Sequence, residues 1–123
     1  MKKKQWWKQI QPLRIPSYWS IGYNKLEDLE PSELSTEDRA WLFVFVQDIL
    51  YVYRKYTNKH IEHTITVDLG WYPDGDPKGS FHLIALLDSD WENPILEFSS
   101  RSKTEIVETL ESWLFYDLAY YKF

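Results

Sequence analysis

A chain of 123 residues has the length of one domain, and a 44% hydrophobic composition with 7 Trp, 9 Tyr and 6 Phe gives it enough apolar surface for a core of its own. That composition excludes a disordered chain, and the lack of cysteine excludes disulfides, thiolate metal sites and Cys nucleophiles while fitting a reducing, cytoplasmic compartment. The net charge of −5 is unevenly spread: residues 1–14 hold five basic residues (Lys2, Lys3, Lys4, Lys8, Arg14) and no acid, which leaves 9 basic against 19 acidic residues, a net of −10, in the rest.

The basic arm, residues 1–16, begins like the positive end of a signal peptide, but Gln9, Gln11, Pro12 and Arg14 interrupt any apolar stretch after it. No segment has the length of uncharged apolar residues that a spanning helix requires. Trp6 and Trp7 among lysines suit a membrane surface or a single-stranded nucleic acid. The acidic body argues for the plainer reading, in which the rings pack on the domain and the lysines stay wet.

Residues 17–123 form the acidic body. Tyr18 to Leu26 alternates, with Trp19, Ile21 and Tyr23 on one side, and predicts a short strand interrupted by Gly22. An acidic loop around Pro31 follows. Ser35 is a suitable N-cap, and Leu42, Phe45, Val46, Ile49, Val52, Tyr53 and Tyr56 recur at helical spacing, so a helix is expected from Ser35 to about Asn58. Trp41, Val44 and Tyr51 make its other side apolar too, so it should be covered on more than one side.

His60 to Trp71 alternates cleanly, with Ile61, His63, Ile65, Val67, Leu69 and Trp71 facing one way and His60, Glu62, Thr64, Thr66 and Asp68 the other. A cluster of turn formers, Tyr72 to Gly79, leads to a second strand, Phe81 to Leu87. Pairing Trp71 with Phe81, Leu69 with Leu83, Val67 with Ala85 and Ile65 with Leu87 puts the apolar residues on one face. His82, Ile84 and Leu86 then lie on the reverse. A third strand is expected over Pro94 to Ser99. Ser102-Lys103-Thr104-Glu105 is a capping box for a last helix that carries Ile106, Val107, Leu110, Trp113, Leu114, Leu118 and Tyr121. The expectation is a single α+β domain over residues 1–123, ordered β-α-β-β-β-α, with a three- to four-stranded antiparallel sheet and two helices packed on it.

Signals for catalysis are few. His60 and His63 lie on opposite faces of a strand and make no paired ligand set. His63 reads as a hydrogen-bonded core histidine, and His82 has no marked partner. Asp74-Gly75-Asp76 begins like a calcium loop, but Pro77, Lys78 and Gly79 stand where further oxygen ligands are needed, so it reads as a hairpin turn. No phosphate loop, G-x-S-x-G or H-E-x-x-H occurs. No cofactor, metal or catalytic residue is assigned.

Acidic residues cluster three times: Glu27, Asp28, Glu30 and Glu33; Asp74 and Asp76; and Asp88 and Asp90 beside Trp91. With Trp71 and Tyr72 close to the second cluster, these eleven residues are the candidate partner-binding set. Aromatic anchors dominate interface energetics, and a body this negative repels nucleic acid and attracts a basic protein.

Trp19-x-Ile21-x-x-Asn24-x-Leu26-x-Asp28-x-x-Pro31, then Gly70-Trp71-Tyr72-Pro73-Asp74-Gly75-Asp76-Pro77-x-Gly79-x-Phe81, and Trp91-x-x-Pro94 give residues 19–114 a texture that resembles small immunity proteins of bacterial polymorphic-toxin and contact-dependent growth inhibition systems. The resemblance implies a cytoplasmic protein, a monomer or weak homo-oligomer and not an enzyme, that binds the C-terminal domain of a cognate toxin and occludes its active or substrate-binding site. Many such toxins are nucleases with basic clefts. A small enzyme with an unrecognised pocket and an adaptor or oligomeric structural protein stay open as alternatives.

Overall fold

The computed structural model describes residues 10–119. Trp6, Trp7 and the lysines of the expected arm, and Tyr121 of the last helix, lie outside the described residues. The class is α+β, as the alternation predicts, built on one open antiparallel sheet. Five strands follow one another in chain order across it: β1 (Ser20–Asn24), β2 (Leu50–Asn58), β3 (Ile61–Tyr72), β4 (Ser80–Leu87) and β5 (Leu96–Ser100). Helix α1 is a single turn, Ala40–Phe43; helix α2, Lys103–Ser112, runs on into a wider π-helical turn, Trp113–Asp117.

The expected helix from Ser35 to Asn58 is the main correction. Only Ala40–Phe43 is α-helical, and residues 50–58 form β2, which brings the sheet to five strands. The sequence Leu-Tyr-Val-Tyr-Arg-Lys-Tyr-Thr-Asn is rich in the β-branched and aromatic residues that suit a pleated surface. It also alternates: Leu50 and Val52 are buried, while Tyr51 and Tyr53 are only half-buried on the opposite face. The apolar residues all round the supposed helix were the sign of this second period. Asn58 does not cap a helix. It starts a two-residue hairpin turn in which Lys59 (φ 52°) and His60 (φ 67°) are both left-handed, the geometry whose twist matches the flanking strands.

The hairpin β3–β4 has the predicted register, with Ile65, Val67, Leu69 and Trp71 opposite Leu87, Ala85, Leu83 and Phe81. These side chains build the core with Trp41 from α1, Trp19, Leu26, Leu29, Phe45 and Ile49 from the loops, and Ile106, Leu110, Trp113, Leu114 and Leu118 from the C-terminal helical segment. At its centre Trp71 is fully buried, with the rings of Phe45, Phe81 and Trp41 at 4.8, 5.0 and 5.7 Å from its own. Its indole N–H donates to the Asp76 carbonyl at 2.8 Å, so burial leaves no polar atom unpaired.

The capping serine acts as expected: the Ser102 hydroxyl accepts from the Glu105 amide at 3.1 Å. The helical segment covers one face of the sheet and is tied to it at its end. The Leu118 carbonyl accepts from Arg54 of β2, and the Leu114 carbonyl from the Trp19 indole. On the reverse face only Thr66 and Leu86 are buried among the residues of β3 and β4 whose side chains point that way, so no second layer covers that face among the described residues.

Candidate functional site

The three acidic clusters have three different fates. Asp28, Glu30 and Glu33 act within the fold. Glu30 receives the Lys103 and Thr104 amides at 2.7 and 3.1 Å and the Thr104 hydroxyl at 2.8 Å, so its carboxylate caps the N-terminus of α2. Glu33 accepts from the Glu30 amide, and Asp28 is paired with the buried ammonium of Lys103. Glu27 is half-buried, and burial raises its carboxyl above the usual range.

Asp74 and Asp76 organise the β3–β4 turn: Asp74 accepts from the Gln47 amide at 2.9 Å and Asp76 from the Lys78 amide at 2.8 Å. Asp88 accepts from the His63 ring at 2.7 Å and the Thr64 amide at 2.9 Å, and these bonds hold its carboxyl below the usual range. His63 is thus hydrogen-bonded, as expected, but half-buried at the sheet's rim rather than in the core. Asp90 takes the Glu92 amide and the Asn93 side chain, a frame that presents Trp91 to solvent at 59% exposure. Trp71 belongs to the core.

What remains is the uncovered face of the sheet. The register places Tyr23 beside Tyr51, Tyr51 opposite Asp68, Asp68 opposite Ile84, His82 one step along and Tyr72 two. Tyr23, Tyr51 and Tyr53 form a run of rings spaced at 5.9 and 5.8 Å, and Tyr72 meets His82 edge to face at 5.4 Å. Two depressions lie in this face. One, of about 340 Å³, is lined by Asp68, Tyr72, His82, Ile84 and Trp91; the other, of about 450 Å³, by Tyr51, Tyr53, Lys55, Thr64, Thr66, Asp88 and Ser89. Of the predicted set, the structure brings Tyr72 and Trp91 together here and sets Asp88 at the edge.

Gly70 makes this arrangement possible. A Cβ at Gly70 would fall inside the Gln47 carbonyl oxygen and against the Tyr72 ring, so only glycine lets the 45–49 segment cross here. That crossing, fixed by the Trp71 amide on the Val46 carbonyl and the Ile49 amide on the Leu69 carbonyl, delivers Asp48 to the face.

Around Asp68 the face is negative. Asp68 is half-buried and has no hydrogen-bond or ion-pair partner among the described residues. Burial, and then the charge of Asp48, pushes its carboxyl up to about 6. Tyr23 is raised to about 12 by burial and by Asp68 and Asp48, its hydroxyl lying 3.4 Å from Asp48. Tyr72 is raised for the same reasons. Three groups on two strands, β1 and β3, are thus raised by burial first and by the neighbouring Asp48 and Asp68 charges second. Asp48, Asp68, Tyr23, Tyr51 and Tyr53 were missed in sequence. The available signal was one aspartate among threonines on a strand face, which gains meaning only when its neighbours across the sheet are known.

No family model matches the chain, and comparison with known proteins and with solved structures likewise returns no match. Among the described residues no helix is long and apolar enough to cross a membrane, and no group of three or more His, Asp and Glu could hold a metal ion.

Two outcomes are expected. Replacing Glu30 by Ala removes the cap of α2 and should lower stability by about 1–2 kcal/mol in urea denaturation; reversal of charge at Asp28 or Glu30 should likewise unsettle the fold. Asp68 behaves oppositely. Its folded pKa lies above the ordinary 3.8, so the native state binds the proton more tightly than the unfolded chain, and stability falls as pH rises from 3.8 to about 6. D68N should therefore stabilise the protein above that window, by about 1 kcal/mol after solvent screening, and should be neutral below it. A carboxyl titration by NMR that finds Asp68 at its ordinary value would contradict this.

Proposed function

We propose that the chain is a bacterial immunity protein that binds a cognate toxin domain, a nuclease with a basic cleft, and neutralises it by covering that cleft with the open face of its sheet. The observation that carries this is the half-buried Asp68, without a partner among the described residues, amid Tyr23, Tyr51, Tyr53, Tyr72 and Trp91. Leaving a carboxylate partly desolvated without a cation costs stability, and an incoming cation recovers that cost on binding. Rigid aromatic side chains around it give contact area at little entropic cost. The body's net of −10 steers a basic partner toward the face and speeds its capture. In this reading the protein works in the cytoplasm as a monomer or weak homo-oligomer and takes no cofactor. Tyr72, Trp91 and Asp88 of the predicted set serve the interface, and Asp28, Glu30, Glu33, Asp74 and Asp76 serve the fold.

A second reading, a small enzyme, has one observation in its favour: a carboxyl brought near neutrality shares a depression with His82. It requires turnover of a small substrate that D68N and H82A both abolish.

Co-expression with the toxin domain encoded beside this gene, followed by affinity purification at rising salt, separates the two. The expected result is a stoichiometric complex that rescues toxin-expressing cells, loosens as salt rises and is weakened about tenfold by D48N/D68N with the fold intact. A protein that emerges alone and rescues nothing contradicts the immunity reading.

A further inference from the structure

We propose that the depression lined by Asp68, Tyr72, His82, Ile84 and Trp91 is a seat for one arginine side chain of the partner. This deepens the reading of the open face as the partner-binding surface and rests on it. At about 340 Å³ the depression is at the small end of ligand sites and holds one side chain rather than a many-ringed molecule. Asp68 and Ile84 are directly opposed on β3 and β4, and His82 is diagonal to Asp68, so the carboxylate, the aliphatic wall and the imidazole share one patch of a single sheet face. Tyr72 and His82 stand at 79° to one another, and Trp91 is held over the same depression by the hydrogen-bonded turn at Asp90.

These walls are flat, and the one charged acceptor among them is Asp68. A guanidinium is planar and weakly hydrated. It stacks on ring faces and offers a carboxylate two parallel N–H groups. An ammonium is a strongly hydrated point charge that needs several acceptors around it, and the depression supplies a single carboxylate. Anions are repelled. The chemistry therefore selects arginine over lysine, and the residue already suits a nuclease cleft, whose phosphate-binding side chains would then be captured directly.

The test needs no toxin. The protein, with Trp91 assigned by comparison with W91F, is titrated with N-acetyl-arginine methylamide and with the lysine and norleucine counterparts while its indole N–H resonances are followed by NMR. Saturable movement of the Trp91 resonance is expected with the arginine compound, several-fold weaker binding with lysine, and none with norleucine. D68N should weaken the arginine compound about tenfold while remaining folded. Equal binding of lysine and arginine, wild-type binding by D68N, or no saturable shift overturns the proposal. Loss of arginine binding with the toxin complex intact would sink the seat alone; arginine binding without a toxin complex would sink the immunity reading alone.

Discussion

Strand β3 turns Ile65, Val67, Leu69 and Trp71 into the core, and because side chains alternate, Thr64, Thr66, Asp68, Gly70 and Tyr72 must face the other way. A slip of one residue would bury Asp68 against the helical layer and expose Trp71, so the register is strongly fixed. Every feature of the open face inherits its position from this constraint. Asp68 is held level with Tyr51 and Ile84, and Gly70 sits where the Gln47 carbonyl crosses, because the core allows no other alignment. The carboxylate is thus kept half-desolvated by the same hydrophobic free energy that folds the domain.

Covering is one-sided for an equally physical reason. The C-terminal helical segment supplies one layer, and its attachments are specific: Glu30 at its N-terminus, Lys103 paired with Asp28, and Arg54 and Trp19 on its last carbonyls. The segment from Ser35 to Ile49, a helix long enough to form a second layer had it existed, instead folds back beside β3 and adds Trp41 and Phe45 to the same core. Nothing among the described residues is left to cover the reverse face. Its tyrosines stack on one another instead, which conceals some apolar area while keeping the rings available. A face of this kind, aromatic and negative, is what a basic partner would complete.

Much of the fold was legible because period-2 alternation in β3 and β4 is strong and continuous; the hairpin register followed from matching apolar residues alone. Residues 50–58 were misread because Val52, Tyr53 and Tyr56 satisfy a helical stripe as well as a strand face, and the tie is broken only by β-branched and aromatic enrichment and by pairing with β3. The acidic clusters were visible, but their roles were not. Whether a carboxylate faces water, caps a helix or closes a turn depends on contacts such as Glu30 to Thr104, 74 residues apart. The site itself is made across strands, so Asp48 and Asp68 approach only once β3 and the 45–49 crossing are in place. Tyr72 and Trp91 both lie on the open face, whereas Trp71, grouped with them from sequence, belongs to the core because adjacent strand residues face opposite ways.

Hydroxyl-radical footprinting of the protein alone and with the proposed toxin domain tests the central claim, that the open face is the binding surface. The account predicts that oxidation of Tyr51, Tyr53, Tyr72 and Trp91 falls sharply in the complex, while Tyr18 and Tyr116, exposed at 50% and 75% elsewhere, react as before. Protection of Phe115 and Tyr116 with the open-face rings still reactive would contradict it and place the interface at the C-terminal helical turn instead.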